Sequence, residues 1–359
     1  MKKDLLILGP SPFNKDINHA GGQLTAITNL VKYLDTINSS YTIIDTFRST
    51  FPPQSTKDKL KGFWYKYLEL KKVLGQSNFK GAIVFVSYGF GYWEKMLFSL
   101  IIEKNGIKTL FFIRSGHFMQ SVKNRNYRVP IKRVLMNKLS YIGHQGGDWE
   151  EFYKSMGIKG DKLIKILNWI EINDFNKSFN SNKITNRVTF LYIGWMVKEK
   201  GVNELLSVIL ENRDLDKFDF IFIGGGTLLE EMKLKTKKLN RDNIKFTSWL
   251  QHNEVESYYK KSDVLILPSY AEGFPNVILE ALNYGLPIIS TDVGAISESV
   301  IDNYNGFLIK PRDKEKLFSS ILKLGKFKQL RETFSINSKK ILIENHSIEK
   351  NCKKIFNLF

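Results

Sequence analysis

Short apolar runs alternate along the whole chain with longer stretches whose apolar residues recur at helical spacing. The runs at 5–9, 41–45, 82–87, 109–114 and 138–144 are predicted to be strands, and the stretch at 23–34 a helix. The second half repeats the pattern, with strands predicted at 188–194, 218–224, 244–246, 264–268 and 288–291 and helices at 201–210 and 228–239. Strands that alternate with helices indicate an α/β protein in which each half forms a parallel, doubly wound sheet.

A polar segment separates the two halves. Residues 173–186 are rich in Asn, Ser and Lys, which is typical of a connection between domains. We therefore predict a Rossmann-like domain at 1–172 and a second one at 173–344, with a last helix at about 345–359 that packs back on the first domain. Two such domains are expected to face a central cleft, the usual place for a ligand.

The start of the chain and its single cysteine bear on where the protein works. The apolar residues after Met1 are interrupted by Gly9, Pro10 and Pro12, so this segment is predicted to be a buried strand rather than a signal peptide. One cysteine, Cys352, cannot form an intramolecular disulfide. We expect a protein of the reducing cytoplasm.

Basic residues are concentrated in the first half. The formal net charge is +18, and residues 1–168 hold 26 Lys and Arg against 12 Asp and Glu, whereas residues 169–359 hold 28 against 24. No acidic residue occurs between Lys104 and Gly147. A charge distribution of this kind attracts anions, and a nucleic acid, an anionic lipid surface or a phosphorylated substrate would each fit it.

Two carboxylates flank the start of a helix predicted at 275–284 in the second half. Glu272 stands before the helix, Glu280 lies within it, and Gly285 suits a left-handed helix end. The residues at the helix start are Gly273, Phe274, Pro275 and Asn276, with Pro275 as the first helical residue. Unpaired amides at such a start bind anions, so a diphosphate would fit there. Spacing alone leaves the alternative that Glu272 is a solvated loop residue and Glu280 a surface residue.

Residues 268–290, which contain both carboxylates, resemble the signature of the retaining glycosyltransferases of family 4 and their Glu-x7-Glu motif. The resemblance implies a GT-B fold and retaining transfer of a sugar from a nucleotide diphosphate donor. It implies that Glu272 contacts the hydroxyl groups of the transferred sugar in the catalytic site, and that Glu280 binds the ribose. Trp249 and Leu250 would lie near the base. The diphosphate would be bound by Gly273, Phe274, Pro275 and Asn276.

Glycine-rich turns are similar to those that approach the sugar donor in that family. Gly224 and Gly226 follow a predicted strand and precede a predicted helix, where the backbone can come close to a nucleotide. Gly21 and Gly22 lie just before the first predicted helix. The resemblance assigns all four glycines to the binding of the sugar donor.

The segment from Gly194 to residue 201 resembles the family pattern Gly-Arg-Leu-x-x-x-Lys-Gly. The resemblance assigns Gly194 to the binding of the sugar donor and Lys200 to the diphosphate and to catalysis. Trp195 stands where the family has an arginine, and an indole cannot make a charge-assisted pair of bonds to phosphate. We expect Lys198, Arg114 or the helix amides to replace it.

Two residues of the first half are assigned by the same resemblance. Family members often carry a histidine close to the transferred sugar after a strand of the first domain, which indicates a catalytic role for His117. A different register would put Ser115 at that position and leave His117 a structural role. Asn168 resembles the asparagine of the family's crossover between domains and is expected to be a hinge.

Asp214 and Asp216 form an Asp-x-Asp pair, the arrangement with which another glycosyltransferase fold holds Mn²⁺ or Mg²⁺. They lie in a polar stretch between a predicted helix and a predicted strand, and no His and Cys cluster has the spacing of metal ligands. We therefore expect no metal and no cofactor. Lys200 and helix amides would neutralise the diphosphate.

Two stretches of the first half have the profile of an interfacial helix. In 57–72, lysines accompany apolar residues at helical spacing; the set is Leu60, Phe63, Trp64, Tyr67 and Leu68 with Lys57, Lys61, Lys66, Lys71 and Lys72. In 128–142 the corresponding residues are Ile131, Leu135 and Leu139 with Arg128, Lys132, Arg133 and Lys138. We predict that the first domain binds an anionic membrane surface as a peripheral protein. The alternative is that both stripes are core faces with solvated lysines opposite.

The expected partners are a nucleotide-sugar donor, with UDP as the favoured nucleotide, and a lipid-linked saccharide or other anionic acceptor. The expected role is in bacterial surface polysaccharide biosynthesis, as in capsule, O-antigen or exopolysaccharide, and no nucleic acid is expected as a partner. Two alternatives stay open. A non-hydrolysing sugar-nucleotide epimerase shares the GT-B layout. A basic nucleic-acid-binding protein would fit the charge, although no zinc finger, RNA-recognition signature or helix-turn-helix pattern accompanies it.

Overall fold

The structure, a computed structural model, describes residues 3–14, 22–47, 55–115, 117–123, 129–172 and 187–359. The chain divides into two compact units, Met1–Glu171 with Ile348–Phe359, and Ile172–Ser347. The sequence predicts the boundary between residues 172 and 173 and the returning segment at about 345, within a few residues of these bounds. Each unit is described by itself below.

The first unit is built on a parallel sheet. Its strands are β1 (Lys3–Gly9), β2 (Tyr41–Asp45), β3 (Phe79–Val86), β4 (Lys108–Ile113), β5 (Tyr141–His144) and β6 (Leu163–Lys165). They lie in the order β2-β1-β3-β4-β5-β6. The helices before the boundary are α1 (Gly22–Thr36), α2 (Thr56–Gln76), α3 (Phe90–Lys104), α4 (His117–Lys123), α5 (Val129–Met136) and α6 (Asp148–Ser155). β3 is buried from residue 81 to residue 86, as expected of a strand covered on both faces.

The second unit repeats this plan with a different strand order. Its strands are β7 (Thr189–Ile193), β8 (Asp219–Ile223), β9 (Ile244–Thr247), β10 (Val264–Leu267), β11 (Ile288–Thr291) and β12 (Gly306–Ile309). They lie in the order β12-β11-β10-β7-β8-β9, and all pairs are parallel. Its helices are α7 (Val202–Glu211), α8 (Leu229–Lys238), α9 (His252–Lys261), α10 (Asn276–Asn283), α11 (Lys314–Lys326) and α12 (Lys328–His346).

The last helix, α13 (Ile348–Phe356), belongs to the first unit and packs on α1. Cys352 and Ile355 are fully buried in the core between this helix and the sheet. The ring of Phe359 lies over Gly81 so closely that a Cβ at Gly81 would come within 2.1 Å of it. The end of the chain therefore completes the core of the first unit.

Several predicted boundaries differ from the structure by one to three residues. The strand predicted at 138–144 begins only at Tyr141, because Lys138 and Leu139 donate backbone hydrogen bonds to the last residues of α5 and close a turn. The helix predicted from Pro275 begins at Asn276, and Pro275 precedes it with an extended ψ of 121°. The predicted helix end is confirmed, since Gly285 has a φ of +64°.

The helix predicted at 57–72 is confirmed as α2, but one of its lysines is not on the surface. Lys66 is buried, and its Nζ lies 3.9 Å from Glu94 Oε1. Phe63 also turns inward and stacks on Phe98 at 5.4 Å. An apolar stripe nonetheless stays exposed on the helix, formed by Leu60, Trp64, Tyr65 and Leu68.

The second interfacial helix, predicted at 128–142, is wrong in its length. α5 ends at Met136, and Leu139 is fully buried beyond it, so Ile131, Leu135 and Leu139 do not form one exposed stripe. Lys132 is buried against the rings of Tyr92 and Phe118. Arg128 lies outside the described residues. Within the described part of the chain, no helix is long and apolar enough to cross a membrane.

Candidate active site

The order of the strands in the second unit defines where a ligand is expected. β7 is the first strand of the unit, and it lies between β8, the next strand along the chain, and β10. In open α/β sheets, ligands bind outside the carboxyl ends of the strands at the point where the strand order reverses. The loops that follow β7 and β10 meet at this point, and they carry Lys200 and Glu272.

Lys200 and Glu272 form an ion pair at this reversal point. Lys200 Nζ lies 2.6 Å from Glu272 Oε1, and the hydroxyl of Ser269 donates a 2.6 Å hydrogen bond to the same oxygen. The Glu272 side chain is only 10% exposed and that of Lys200 25%. Glu272 Oε1 accepts both hydrogen bonds. Within the described residues, Glu272 Oε2 therefore stays available to a ligand. A lysine has three N–H donors, so Lys200 also keeps donors for an anion.

Glycines let the loops around this pair come close together. Gly201, with a φ of +65°, packs so tightly that a Cβ would lie 2.0 Å from the carbonyl oxygen of Pro268. Gly294, also at +65°, would bring a Cβ within 2.3 Å of the Glu272 carbonyl oxygen. The Ala295 amide donates a hydrogen bond of 3.0 Å to the Gly273 carbonyl. Any side chain at these two glycines would displace the loop that carries Glu272.

The carboxylate of Glu280 accepts a hydrogen bond from a tyrosine of α9. The hydroxyl of Tyr259 donates a 2.7 Å hydrogen bond to Glu280 Oε2, and the Tyr259 ring stacks on Tyr284 at 5.4 Å. Burial, together with the neighbouring Glu280 carboxylate, raises the pKa of Tyr259 well above its usual range, so the hydroxyl keeps its proton. Tyr259 therefore acts as a fixed hydrogen-bond donor that orients Glu280.

The glycine-rich turn after β8 packs against the segment after β7. The Met196 amide donates to the Gly225 carbonyl at 2.7 Å. A Cβ at Gly224 would lie 2.1 Å from the Gly194 carbonyl oxygen, and one at Gly226 2.4 Å from that of Met196. The two backbone segments are thus in direct contact, and only glycine fits at the turn.

Trp249 lies over this turn, and Trp195 packs against it. The ring of Trp195 meets that of Trp249 edge to face, with centroids 5.0 Å apart. Trp195 is 56% exposed and Trp249 43%. The backbone carbonyl of Trp195 accepts a 2.8 Å hydrogen bond from the buried hydroxyl of Tyr192. The edge of the site beside Gly224 is therefore aromatic and open.

Comparison with known proteins identifies the family. The family model for glycosyl transferases group 1 matches residues 173–341. An uncharacterized glycosyltransferase of Methanocaldococcus jannaschii is 30% identical over 338 residues, which is 89% of each chain. The chain belongs to the glycosyl transferases of group 1. It is therefore an enzyme that transfers a sugar, and the expectation of a glycosyltransferase is confirmed.

One further relative and one solved structure extend the comparison. The UDP-Gal:α-D-GlcNAc-diphosphoundecaprenol α-1,3-galactosyltransferase of Escherichia coli is 25% identical over 71% of this chain and 69% of its own. Sucrose-phosphate synthase of Thermosynechococcus elongatus has the same fold, with a TM-score of 0.80, 16% identity and coverage of 99% of this chain and 98% of its own. The predicted GT-B fold of two α/β units is confirmed.

Most of the residues assigned from the sequence to the sugar donor gather at the carboxyl edge of the second unit. The structure brings together Gly194, Lys200, Gly224, Gly226, Trp249, Glu272 and Gly273. Leu250 follows Trp249 and is half-buried, and Asn276 opens α10. Phe274 is buried, with its ring 5.5 Å from that of His346, so its side chain supports the loop, and a contact of its backbone with the diphosphate stays a prediction.

The residues of the first half that the sequence assigns to the site lie only partly within the described residues. Gly22 opens α1, while Gly21 lies outside the described residues. His117 opens α4, and its side chain also lies outside the description. Asn168 is buried and accepts a hydrogen bond from Gln145, and its role as a hinge stays a prediction.

Arg114 follows β4 at the carboxyl edge of the first unit's sheet. Its guanidinium lies over three rings, at 5.9 Å from Phe85, 5.3 Å from Phe112 and 5.1 Å from Trp169. Nη1 is buried without a hydrogen-bond partner, and burial lowers the pKa of Arg114 to about 9. No carboxylate of the described residues pairs with it, and within that part of the chain its charge meets aromatic faces instead.

Sequence reasoning missed three residues of the site, namely Ser269, Tyr259 and Gly294. Ser269 lies three positions before Glu272 in the same loop, which was a usable signal. Tyr259 and Gly294 come from other segments, and only the folded chain brings them to the two carboxylates. Asp216 has a structural role, since it pairs with the buried Arg241. Across the described ranges, no group of His, Cys, Asp and Glu is arranged to hold a metal.

Proposed function

We propose that this glycosyltransferase moves a sugar from a UDP-sugar to a hydroxyl group of a lipid-linked or polysaccharide acceptor, with retention of anomeric configuration. The cluster of Lys200, Ser269 and Glu272 at the reversal point of the second sheet carries the proposal. The E. coli relative named for UDP-Gal and a diphosphoundecaprenol acceptor supports the nucleotide and the class of acceptor. The role lies in bacterial surface polysaccharide biosynthesis.

The geometry of the second unit supports distinct tasks for its charged groups. Lys200 and the first amides of α10 bind the diphosphate as it leaves, where negative charge develops in the transition state. Glu272 accepts hydrogen bonds from the transferred sugar through Oε2, and Glu280 from the ribose. The diphosphate takes the acceptor proton on the face from which it departs, so neither carboxylate acts as a nucleophile. The first unit binds the acceptor, and His117 acts close to the transferred sugar.

The proposed reaction needs no metal, because a lysine and helix amides supply the positive charge at the diphosphate. Activity should therefore be unchanged in excess EDTA. Restoration of a lost activity by Mn²⁺ would contradict this part of the proposal and would bring Asp214 and Asp216 back as ligands.

The exposed stripe of α2 supports a further part of the proposal, in which the first unit binds the inner face of an anionic membrane. Trp64 is 58% and Leu68 63% exposed, and Lys57, Lys61, Lys71 and Lys72 lie on the surface of the same helix. Exposed apolar side chains beside lysines are the profile of a helix that lies in a membrane interface. An acceptor anchored in the membrane would then be close to the enzyme.

The test is a screen of UDP-, GDP- and ADP-sugars with an undecaprenyl-diphosphate-linked saccharide as acceptor. We expect a product with UDP-sugars alone, and NMR should assign to the new bond the anomeric configuration of the sugar donor. An inverted product would contradict retention. Isomerisation of the sugar nucleotide without an acceptor would instead favour the epimerase, and salt-sensitive binding of plain DNA or RNA without sugar-nucleotide binding would favour the nucleic-acid alternative.

A further inference from the structure

The loop after β10 carries Ser269 and Glu272, and Tyr270 lies between them in the chain. The Tyr270 amide donates a 2.9 Å hydrogen bond to the carbonyl of Glu199 in the loop after β7. Glu199 is the neighbour of Lys200, so this bond joins the two loops directly beside the ion pair of Lys200 and Glu272. The backbone of Tyr270 therefore holds the loop that carries Glu272 against the loop that carries Lys200.

The side chain of Tyr270 has two charged neighbours from other elements. The guanidinium carbon of Arg312, in the loop between β12 and α11, lies 4.8 Å from the centre of the Tyr270 ring. The Tyr270 hydroxyl lies beside the Glu204 carboxylate of α7, and burial together with this carboxylate raises the pKa of Tyr270 to about 12, so the hydroxyl is uncharged. A cation over a tyrosine ring is attracted to it, and this contact holds the ring in place.

Arg312 adopts a backbone conformation that arginine rarely takes. Its φ is +69°, in the left-handed region, and the other non-glycine residues found there in the described part of the chain are Asn38, Asn240 and Asn303. Asparagine tolerates this region because its short side chain bonds locally, whereas arginine has no such compensation. The start of α11 does not explain the strain, because the side chain of Asp313 caps that helix. Strained residues persist where surrounding contacts fix them, and they concentrate at functional sites.

We propose that Arg312 is a positioning residue of the sugar-transfer site: its guanidinium holds the ring of Tyr270, and Tyr270 holds Glu272 within reach of Lys200. The inference rests on the proposed roles of Lys200 at the diphosphate and of Glu272 at the transferred sugar. Neither Arg312 nor Tyr270 touches the substrate. Without them, the two loops would separate, and a misplacement of about 1 Å in an active site can lower the rate by about 100-fold.

Steady-state kinetics of the full chain, with a UDP-sugar and an undecaprenyl-diphosphate-linked saccharide, tests this role. We expect Arg312→Gly to lower kcat by about 10- to 100-fold and to change KM for the sugar donor by less than about threefold. KM should change little because Tyr259, and not Arg312, holds Glu280. The Tm of Arg312→Gly should not fall, since glycine adopts the left-handed region without strain.

Variants of Tyr270 test the same contact from its other side. Tyr270→Phe keeps both the amide and the ring beneath the guanidinium, so most of the kcat should remain. Tyr270→Ala should lower kcat at least as far as Arg312→Gly does. The double variant should lose no more kcat than Tyr270→Ala alone, because Arg312 acts through Tyr270.

Two controls match the two features of Arg312. Asn303→Gly replaces another left-handed residue, before the start of β12, where φ is +57°. Lys323→Ala removes a cation that lies 5.1 Å from the centre of the Phe307 ring. Both variants should keep the kcat of the wild type.

Wild-type kcat in Arg312→Gly would overturn the proposal. A Tm that falls in parallel with kcat would also overturn it, because Arg312 would then serve stability alone. Losses of kcat that multiply in the double variant would mean that Arg312 contacts the substrate itself. In each of these cases, loss of activity in Lys200→Ala would still support the proposed reaction. A wild-type protein that transfers no sugar from a UDP-sugar would overturn both.

Discussion

The two units of this glycosyltransferase share a doubly wound parallel sheet but differ at the carboxyl ends of their strands. In the second unit, the two charged groups assigned to the sugar donor at that edge have partners, as Lys200 has Glu272 and Glu280 has Tyr259. In the first unit, Arg114 occupies the corresponding edge among aromatic rings, and none of the described carboxylates pairs with it. The carboxyl edge of the second unit is therefore organised before a ligand binds. The carboxyl edge of the first unit instead carries the positive charge of Arg114, which an anionic ligand would balance.

The overall charge follows the same division. Residues 1–168 carry an excess of fourteen basic groups and residues 169–359 an excess of four. The difference suits a second unit that binds a small ligand by defined contacts and a first unit that binds an extended anionic surface or acceptor by its field.

The largest effect is expected from charge reversal on α2. Replacing Lys57, Lys61, Lys71 and Lys72 by Glu should weaken binding to phosphatidylglycerol vesicles by about 1000-fold, because each basic residue near an anionic surface contributes about 1 kcal/mol. Sedimentation with liposomes measures this loss of binding to the vesicles.

The matched control for α2 is the same reversal on α8 of the second unit, at Lys233, Lys235, Lys237 and Lys238, which are also exposed. Vesicle binding of this control should stay close to that of the wild type. Equal loss in both proteins would mean that total charge, and not the first unit, directs binding.

Lys200→Ala should lower kcat/KM by about 100-fold, because it removes a charge-assisted contact to the diphosphate, worth about 1.5–3 kcal/mol, and leaves Glu272 without its cation. Steady-state transfer assays on folded protein test this. Lys260→Ala breaks a surface ion pair of similar length, 2.7 Å to Glu256, and should change little. Wild-type turnover in Lys200→Ala would remove Lys200 from the site.

Tyr259→Phe should raise KM for the sugar donor by about tenfold while the fold stays intact. The substitution deletes the Tyr259 hydroxyl that donates to Glu280 Oε2, and a hydrogen bond to a charged group is worth about 1.5–3 kcal/mol. Tyr92→Phe is the control, because the Tyr92 hydroxyl is buried in the first unit and makes no hydrogen bond to the part of the chain that the structure describes. If both variants behave alike, the tyrosine hydroxyl does not position Glu280.

The smallest effect concerns stability. Arg114→Met should leave the Tm unchanged or raise it by a few degrees, because removing a buried charge without a partner is neutral or stabilising. Arg331→Met should lower the Tm, since Arg331 donates to the Leu324 and Gly325 carbonyls at 2.6 and 3.2 Å. Differential scanning calorimetry compares them. A similar loss of Tm in both would mean that Arg114 is structural and not poised for an anion.

The difference between the two units also explains how much of each could be predicted from the sequence. The second unit's site follows a local motif, because Glu272, Glu280 and the start of α10 lie within one short stretch of chain. The Lys200–Glu272 pair could be expected only from a resemblance, since 72 positions separate the two residues. Tyr259 and Gly294 carry no local signal, and their contacts arise from packing between α9, α10 and the loop after β11.

In the first unit, periodicity predicted the helices but not which face of each is buried. α2 was correctly predicted as a helix, yet Lys66 turned out to be buried because Glu94 of α3 lies beneath it. α5 ends early because a backbone turn at Lys138 and Leu139 closes it. Such outcomes depend on neighbouring elements and not on spacing along one helix.

The central claim is that the carboxyl edge of the second unit binds the nucleotide of the sugar donor. Calorimetric titration of UDP into the wild type and into Glu280→Gln tests it most directly, because the substitution removes the charge and keeps the shape. We expect the wild type to bind one UDP per chain and Glu280→Gln to bind it at least about tenfold more weakly. Equal affinity for UDP in the two proteins would contradict the binding of the nucleotide by Glu280 at this edge.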